Sequence, residues 1–590
     1  MAQAHDEREP LIKSSIGQLW YLTTPFLAIL VGGMMASPAS SQENVHVNAG
    51  TIQKLSRPER PIVPKQDSDS LALDRPVQSE SAIGTSQKDH RSVEIKSLVF
   101  IGNSTISSEE LSRELAPYLE RPLTISELGQ LTDAASGIYH KAGYNLARVV
   151  IPPQDIVNGT LQLIVLEGRL ASNGIEISDL SEGRISIDRL QNILSTQINP
   201  ADPVQRQSYE RALYLLELLP GVTIRSFLYP GDEVGTTRLL VEAYATPVMS
   251  GVIAADNHGS RATGTNRVSG YGVVENATGK FERIELNASA TGPGTKYIAG
   301  RVEVPVGTDG LSFGATGEVL GYEEIDEFDS GDEHGYGWST GVFATYPVYL
   351  DALNAHFAHG SLNHHNQIDK GNVIGREEQN IENIDLELRG ATNWQDHKLA
   401  HTSYRLFGNA GAVDFEDGTD ELGANGGFAV FGIELSHQQP IHGPFSSRHD
   451  LGGQIATSNL NGLFKCYAGG PDSNRGYPVG AVAADECITF NNELLYNVPT
   501  PDLNTNWQFG VFVDLARTRE NADPVRGQNN DLDTLVSSGL SMQASWGTYG
   551  LLRAALGRQF NDTKQRERTG MDDDRRDAHY RGWLQFALYF

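Results

Sequence analysis

Residues 507–517 read Trp507-Gln508-Phe509-Gly510-Val511-Phe512-Val513-Asp514-Leu515-Ala516-Arg517. A strand sends successive side chains to opposite faces. Trp507, Phe509, Val511, Val513 and Leu515 therefore share one face, and Gln508, Gly510, Phe512, Asp514 and Ala516 the other. A slip of one residue would carry Asp514 into the apolar row, so the register is firmly specified. The segment is a strand with an oily side and a side that accepts a carboxylate.

The pattern recurs through residues 248–590, where glycine-punctuated segments alternate with period two. They divide into about 16 strands, with short connections on one side and longer ones on the other, and an even count suits a closed membrane barrel. In the last segment Tyr580, Leu584, Phe586, Leu588 and Phe590 share a face, with Gly582 between them. Past the N-terminus no stretch offers the roughly 18 continuous apolar residues of a spanning helix. A membrane role must then use strands, whose closure pairs every backbone group while only every second residue is apolar. The alternative is a soluble β-sandwich.

A formal charge of −28 over 590 residues argues against nucleic acid. Residues 460–487 form a long connection between strands expected at 448–458 and 487–496, and such loops are functional or disordered. The two cysteines of the chain, Cys466 and Cys487, bracket it. Export to an oxidising compartment predicts one disulfide, the alternative being two buried thiols.

Inside that loop lies Ala468-Gly469-Gly470-Pro471-Asp472-Ser473-Asn474-Arg475-Gly476-Tyr477. With the barrel pattern and the terminal Phe590, it resembles the outer-membrane transporters of two-partner secretion, the haemolysin secretion/activation family. In that family the sixth surface loop carries Val-Arg-Gly-Tyr folded back into the barrel; here the motif is Asn474, Arg475, Gly476 and Tyr477, departing at its first position. The resemblance implies that Arg475 pairs with an aspartate on the lumen wall. Asp514 is the expected partner and Glu493, also inward by alternation, the rival. It further implies that Phe586, Leu588 and Phe590 carry the signal read by the barrel-assembly machinery.

Leu19, Leu22, Phe26, Leu27, Ile29, Leu30 and Val31 follow Arg8 and Lys13 and end at small residues, so residues 1–41 read as a cleaved signal peptide rather than a membrane anchor. Residues 42–92, with Pro58, Pro61, Pro64 and Pro76, read as a linker. The resemblance allows a barrel-plugging helix ahead of it, for which 44–55 is the only candidate. Residues 93–170 follow the order strand, helix, helix, strand, strand, with Thr124 or Ser126 able to cap the second helix and Gly143 to end it. That order, with Gly143-Tyr144, Pro152-Pro153-Gln154 and Glu167-Gly168, resembles a polypeptide-transport-associated (POTRA) domain. It recurs over 171–247. The predicted fold class is thus two α+β periplasmic domains followed by an all-β antiparallel transmembrane barrel.

An unfolded chain can add a strand to an exposed sheet edge. Residues 222–229 or 237–243 are the expected edge, and Tyr209, Leu213 and Leu216 would line an apolar groove unless they are core. The expected function is capture of a large secreted haemolysin- or adhesin-like partner in the periplasm and its export, with outer-membrane lipid, periplasmic chaperones and the barrel-assembly machinery as further partners. A barrel-assembly factor, a solute porin and a surface adhesin are the alternatives. His356, His359, His364 and His365 lie on a strand that splits neighbours between faces, which disfavours a metal. The acidic run from Glu323 to Glu333 lacks calcium-loop spacing. Residues 272–280 make a hairpin rather than a nucleotide loop. No cofactor and no catalytic residue is expected.

Overall fold

A computed structural model describes residues 48–57, 92–329, 331–372, 375–394, 400–418, 420, 423–500, 505–524 and 532–590. The expected signal peptide and most of the linker lie outside them. Helix α1 (Ala49–Ser56) opens the described chain, capped by Asn48, whose side chain accepts from the Thr51 amide.

The first α+β domain contains β1 (Ser92–Ile95), β2 (Ser97–Ile101), α2 (Ser108–Glu114), β3 (Arg121–Thr124), α3 (Ile125–Lys141), β4 (Arg148–Val150) and β5 (Thr160–Leu166). Its sheet runs β2-β5-β4, and β1 pairs with β3. Thr124 and Glu127 form a capping box that satisfies two otherwise orphan amides at the start of α3. Glu167, almost fully buried, accepts from the Ser104 and Thr105 amides at 2.7 Å each and from the Thr105 hydroxyl at 2.8 Å. The second domain contains β6 (Arg169–Asp179), α4 (Ile187–Gln197), α5 (Arg206–Glu217), β7 (Val222–Pro230) and β8 (Thr236–Ala245).

The second sheet runs β6-β8-β7, so β8 is central and parallel to β6. This corrects one expected edge: residues 237–243 are covered on both sides, and β7 holds the edge. The groove is corrected too. Tyr209, Leu213 and Leu216 are 4, 1 and 0 % exposed and pack into the core with Ile224, Leu239 and Val241. An amphipathic helix laid on a sheet buries its apolar stripe there, leaving no groove for those side chains to line. The same core takes in Phe281 and Leu350 of the barrel, and Gln197 donates to Asp309 in a barrel turn at 2.9 Å.

The barrel strands are β9 (Met249–Asp256), β10 (Arg267–Glu275), β11 (Arg283–Ala290), β12 (Thr295–Val306), β13 (Leu311–Glu323), β14 (His334–Leu350), β15 (Asn354–Gly371), β16 (Gly375–Trp394), β17 (Ala400–Asp417), β18 (Gly426–His442) and β19 (Phe445–Ala456). After a hairpin of β20 (Cys466–Ala468) and β21 (Val482–Ala484) come β22 (Glu486–Thr500), β23 (Thr505–Arg519), β24 (Leu532–Trp546), β25 (Gly550–Gln559) and β26 (Tyr580–Tyr589). Among the described residues 16 strands close the barrel, β26 pairing with β9. Closure removes the free edge that lipid would not tolerate. Phe509, Val511 and Val513 are exposed on the outer wall, whereas Phe512 and Asp514 are buried inside. Phe586, Leu588 and Phe590 are likewise exposed outside, and the Phe590 amide donates to Gly251 O at 3.0 Å beside the closing seam. Among the described residues no helix is long and apolar enough to cross a membrane.

Candidate functional site: the filled lumen

Residues 460–487 turn inward. They are not without secondary structure, as expected from sequence, but contain the β20–β21 hairpin, with Cys466 opposite Ala484. Strands of three residues are too short for a period-two pattern to reveal. Cys466 and Cys487 form a disulfide, which ties the hairpin to β22.

At the far end of the hairpin Arg475 meets the wall. Its Nε donates to Asp514 Oδ2 at 2.9 Å and its Nη2 to Oδ1 at 2.8 Å, a bidentate fork. The Arg475 amide adds a third bond to Asp514 Oδ2 at 3.0 Å, and Nη1 reaches Glu493 Oε2 at 3.1 Å. Expected partner and rival therefore both bind the guanidinium, with Asp514 taking the fork. The Phe512 ring lies 3.5 Å beneath it, a cation–π contact in a shielded place.

The other motif residues are equally engaged. Asn474 Nδ2 donates to Leu535 O at 3.2 Å and its Oδ1 accepts from Ser537 Oγ at 2.6 Å. Gly476 lies so close to Ser537 and to the Arg558 backbone that a Cβ would collide with both. Tyr477 is fully buried, its hydroxyl donating to Asn561 O at 2.7 Å. Trp583 Nε1 on β26 donates to Arg475 O at 2.8 Å. Sequence reading missed Phe512, Ser537, Asn561 and Trp583 as partners. Phe512 had a signal, being the aromatic two residues from Asp514 on the same inward face; the others come from distant strands and from the β25–β26 connection, whose registry relative to the loop no local pattern encodes.

Helix α1 is the second occupant, over Ala49–Ser56; of the expected 44–55, residues 44–47 lie outside the described residues. Its Ala49 amide donates to Asp369 Oδ1 at 2.8 Å, and Gln53 Nε2 donates to Glu318 Oε1 at 2.6 Å and to Ser339 Oγ at 2.7 Å. Arg57, just past its end, pairs with Glu318. Ala49 and Ile52 pack on Tyr297, Leu320 and Tyr322. All these wall residues lie on the inward face of β12 to β15. Among the described residues no three His, Cys, Asp or Glu side chains converge as a metal site.

A closed barrel with a loop and a helix inside it, preceded by two α+β domains that pack onto one end, defines a transporter of the outer membrane with periplasmic domains. Residues 93–168 match the POTRA domain, ShlB-type, and residues 235–544 match the haemolysin secretion/activation protein ShlB/FhaC/HecB. The chain belongs to that haemolysin secretion/activation family, whose work is export of a partner protein. It is 24 % identical over 404 residues to the heme/hemopexin transporter protein HuxB of Haemophilus influenzae strain 86-028NP, covering 67 % of this chain and 71 % of that one. With the outer membrane transporter CdiB of Escherichia coli it shares 23 % over 429 residues, 68 % of this chain and 69 % of the other. The solved structure of CdiB from Escherichia coli aligns with TM-score 0.68 at 16 % identity over 92 % of this chain and 96 % of its own. That of CdiB from Acinetobacter baumannii gives 0.60 at 17 % over 90 % and 95 %. These two likenesses speak for the fold.

Proposed function

We propose that the periplasmic domains receive one large secreted protein in an extended state and that the barrel lumen passes it outward, α1 and the internal loop closing the passage between export events. The observation that carries this is the position of α1: chain ahead of the periplasmic domains lies inside the barrel without joining its sheet, so it can leave without breaking the wall. The open edge of β7, with Phe227 and Tyr229 exposed on one face, supports capture by strand addition. Folding of the cargo outside supplies the direction of transport. Chaperones keep both chains unfolded in the periplasm, and the barrel-assembly machinery reads Phe586, Leu588 and Phe590. The chain itself performs no catalysis.

Quantitative proteomics of medium, periplasm and outer membrane after deletion of this chain in its host tests the reading. Loss of one large protein from the medium supports it. A broad fall in many barrel proteins would point to an assembly factor instead, and altered solute uptake with an unchanged secreted set to a porin.

A further inference from the structure

Helix α1 and the base of the internal loop meet backbone to backbone. A Cβ at Gly50 would stand 2.9 Å from the Leu463 nitrogen, and one at Gly462 would stand 2.8 Å from the Thr51 nitrogen. Neither glycine has positive φ; what each provides is closeness of approach. Beside them the Tyr467 hydroxyl donates to Gly462 O at 2.7 Å and accepts from the Thr51 hydroxyl at 3.0 Å. Asn461 Nδ2 donates to Gln367 Oε1 at 3.0 Å, and Gln367 Nε2 donates to Gln53 Oε1 at 3.1 Å, so wall, loop and helix share one polar chain. Tyr467 directly follows Cys466, and the disulfide fixes Cys466 to Cys487 on the wall strand β22. The Arg475 motif sits at the opposite end of the hairpin with its own bonds to the wall, and needs none of these contacts.

We propose that the Cys466–Cys487 disulfide acts as a positioning element for the plug: it holds the hairpin base at the wall so that Tyr467 and the Gly50/Gly462 pair grip α1. This rests on the reading of α1 as the element that closes the pore. Without the cross-link the hairpin base keeps its polar ties, Gln454 Nε2 to Phe464 O at 2.8 Å and Asn461 Nδ2 to Gln379 Oε1 at 2.6 Å, but loses its covalent tie at Cys466, so Tyr467 shifts and the grip on α1 weakens although the barrel is intact.

The test is ion conductance of the purified full-length protein in a planar lipid bilayer. Dithiothreitol passes two electrons and two protons to the disulfide, leaving two thiols and closing into its own cyclic disulfide. Conductance is expected to rise several-fold on reduction and to fall back on reoxidation, with heat-modifiable gel migration of the barrel unchanged throughout. The Cys466→Ser/Cys487→Ser double variant is expected to conduct at the reduced level and to ignore the reductant. Gly50→Ala is expected to conduct more than the parent, although alanine is the better helix former, because its Cβ meets the Leu463 backbone. A variant lacking residues 49–56 separates the two claims. If it conducts no more than the parent, the plug reading falls and the clasp with it. If it conducts more, but full reduction verified by thiol labelling leaves the parent's conductance unchanged, the plug stands and the clasp is overturned.

Discussion

Arg475 and Asp514, 39 residues apart in sequence, are joined by two parallel side-chain bonds in the lumen, with the Asp514 side chain wholly buried and that of Arg475 12 % exposed. A planar fork facing a carboxylate fixes orientation as well as distance. Removing one partner from such a pair strands the other charge, at a cost of about 3–5 kcal/mol. Arg475→Ala and Asp514→Ala are each expected to lower the urea midpoint of the barrel accordingly, and Arg475→Lys to recover little, because lysine cannot span both oxygens. An Arg475→Lys midpoint equal to the parent's would show that charge alone suffices.

Asn474 occupies the position where the family motif has valine, and Ser537 and the Leu535 carbonyl receive it. A buried polar group that loses its partner costs about 1–3 kcal/mol, while replacing both partners by apolar groups is close to neutral. Asn474→Val is therefore expected to destabilise the barrel by about that amount. The double variant Asn474→Val/Ser537→Ala is expected to regain only part of it, because the Gly476 amide, which donates to Ser537 Oγ at 3.1 Å, then loses its acceptor. Strict additivity of the two single substitutions in urea titrations would contradict the coupling.

Much of the barrel was legible because lipid and lumen impose different solvents on successive residues of one strand, so Val513 and Asp514 had to point opposite ways. The inward Asp514 and Glu493 followed from the same alternation. The eight-residue α1 was faint, since its place depends on wall residues such as Asp369 and Glu318 hundreds of positions away. The order β6-β8-β7 was illegible for a different reason. The local pattern left β7 and β8 equally open as the edge, and it is the parallel pairing of β8 with β6, reached through the crossover by α4 and α5, that inserts β8 between β6 and β7.

In the first periplasmic domain, burial by itself pushes the Glu167 carboxyl up, but the hydrogen bonds from Ser104 and Thr105 outweigh it and hold the group below the ordinary glutamate range. Its folded pKa is thus lower than its unfolded one. The stability it contributes is fully present above the unfolded value and is lost as pH falls through the folded value. Glu167→Gln is expected to destabilise this domain near neutral pH by about 1–3 kcal/mol and to flatten its loss of stability in acid. Urea titration of the full chain followed by hydrogen exchange in residues 93–168, corrected for intrinsic rates, reads both effects. An unchanged acid profile in the variant would remove Glu167 from the account.

The Tyr477 hydroxyl donates to Asn561 O and accepts from the Val536 amide at 3.1 Å, tying the loop to the connection between β25 and β26. Tyr477→Phe keeps the ring in its buried place and removes these bonds, while the Val536 amide keeps Asn561 Oδ1 at 2.9 Å and Asn561 O keeps Gln559 Nε2 at 3.1 Å, so a loss of about 0.5–1.5 kcal/mol is expected. Protease cleavage within residues 560–579 on intact cells is expected to quicken. Cleavage at the parent rate would show that the loop holds nothing beyond the barrel.

Passage of the partner through the lumen is tested most directly by crosslinking a stalled substrate. The secreted partner, fused to a domain that folds too early to pass, would be expressed with this chain carrying a photo-crosslinking residue at Thr316 or at Val319. Both positions lie on β13, Thr316 on the inward face with Glu318 and Val319 exposed on the outer wall. Crosslinks to the partner at position 316 and none at 319 are expected. Crosslinks at 319 with none at 316 would place the partner outside the barrel and contradict transport through the lumen.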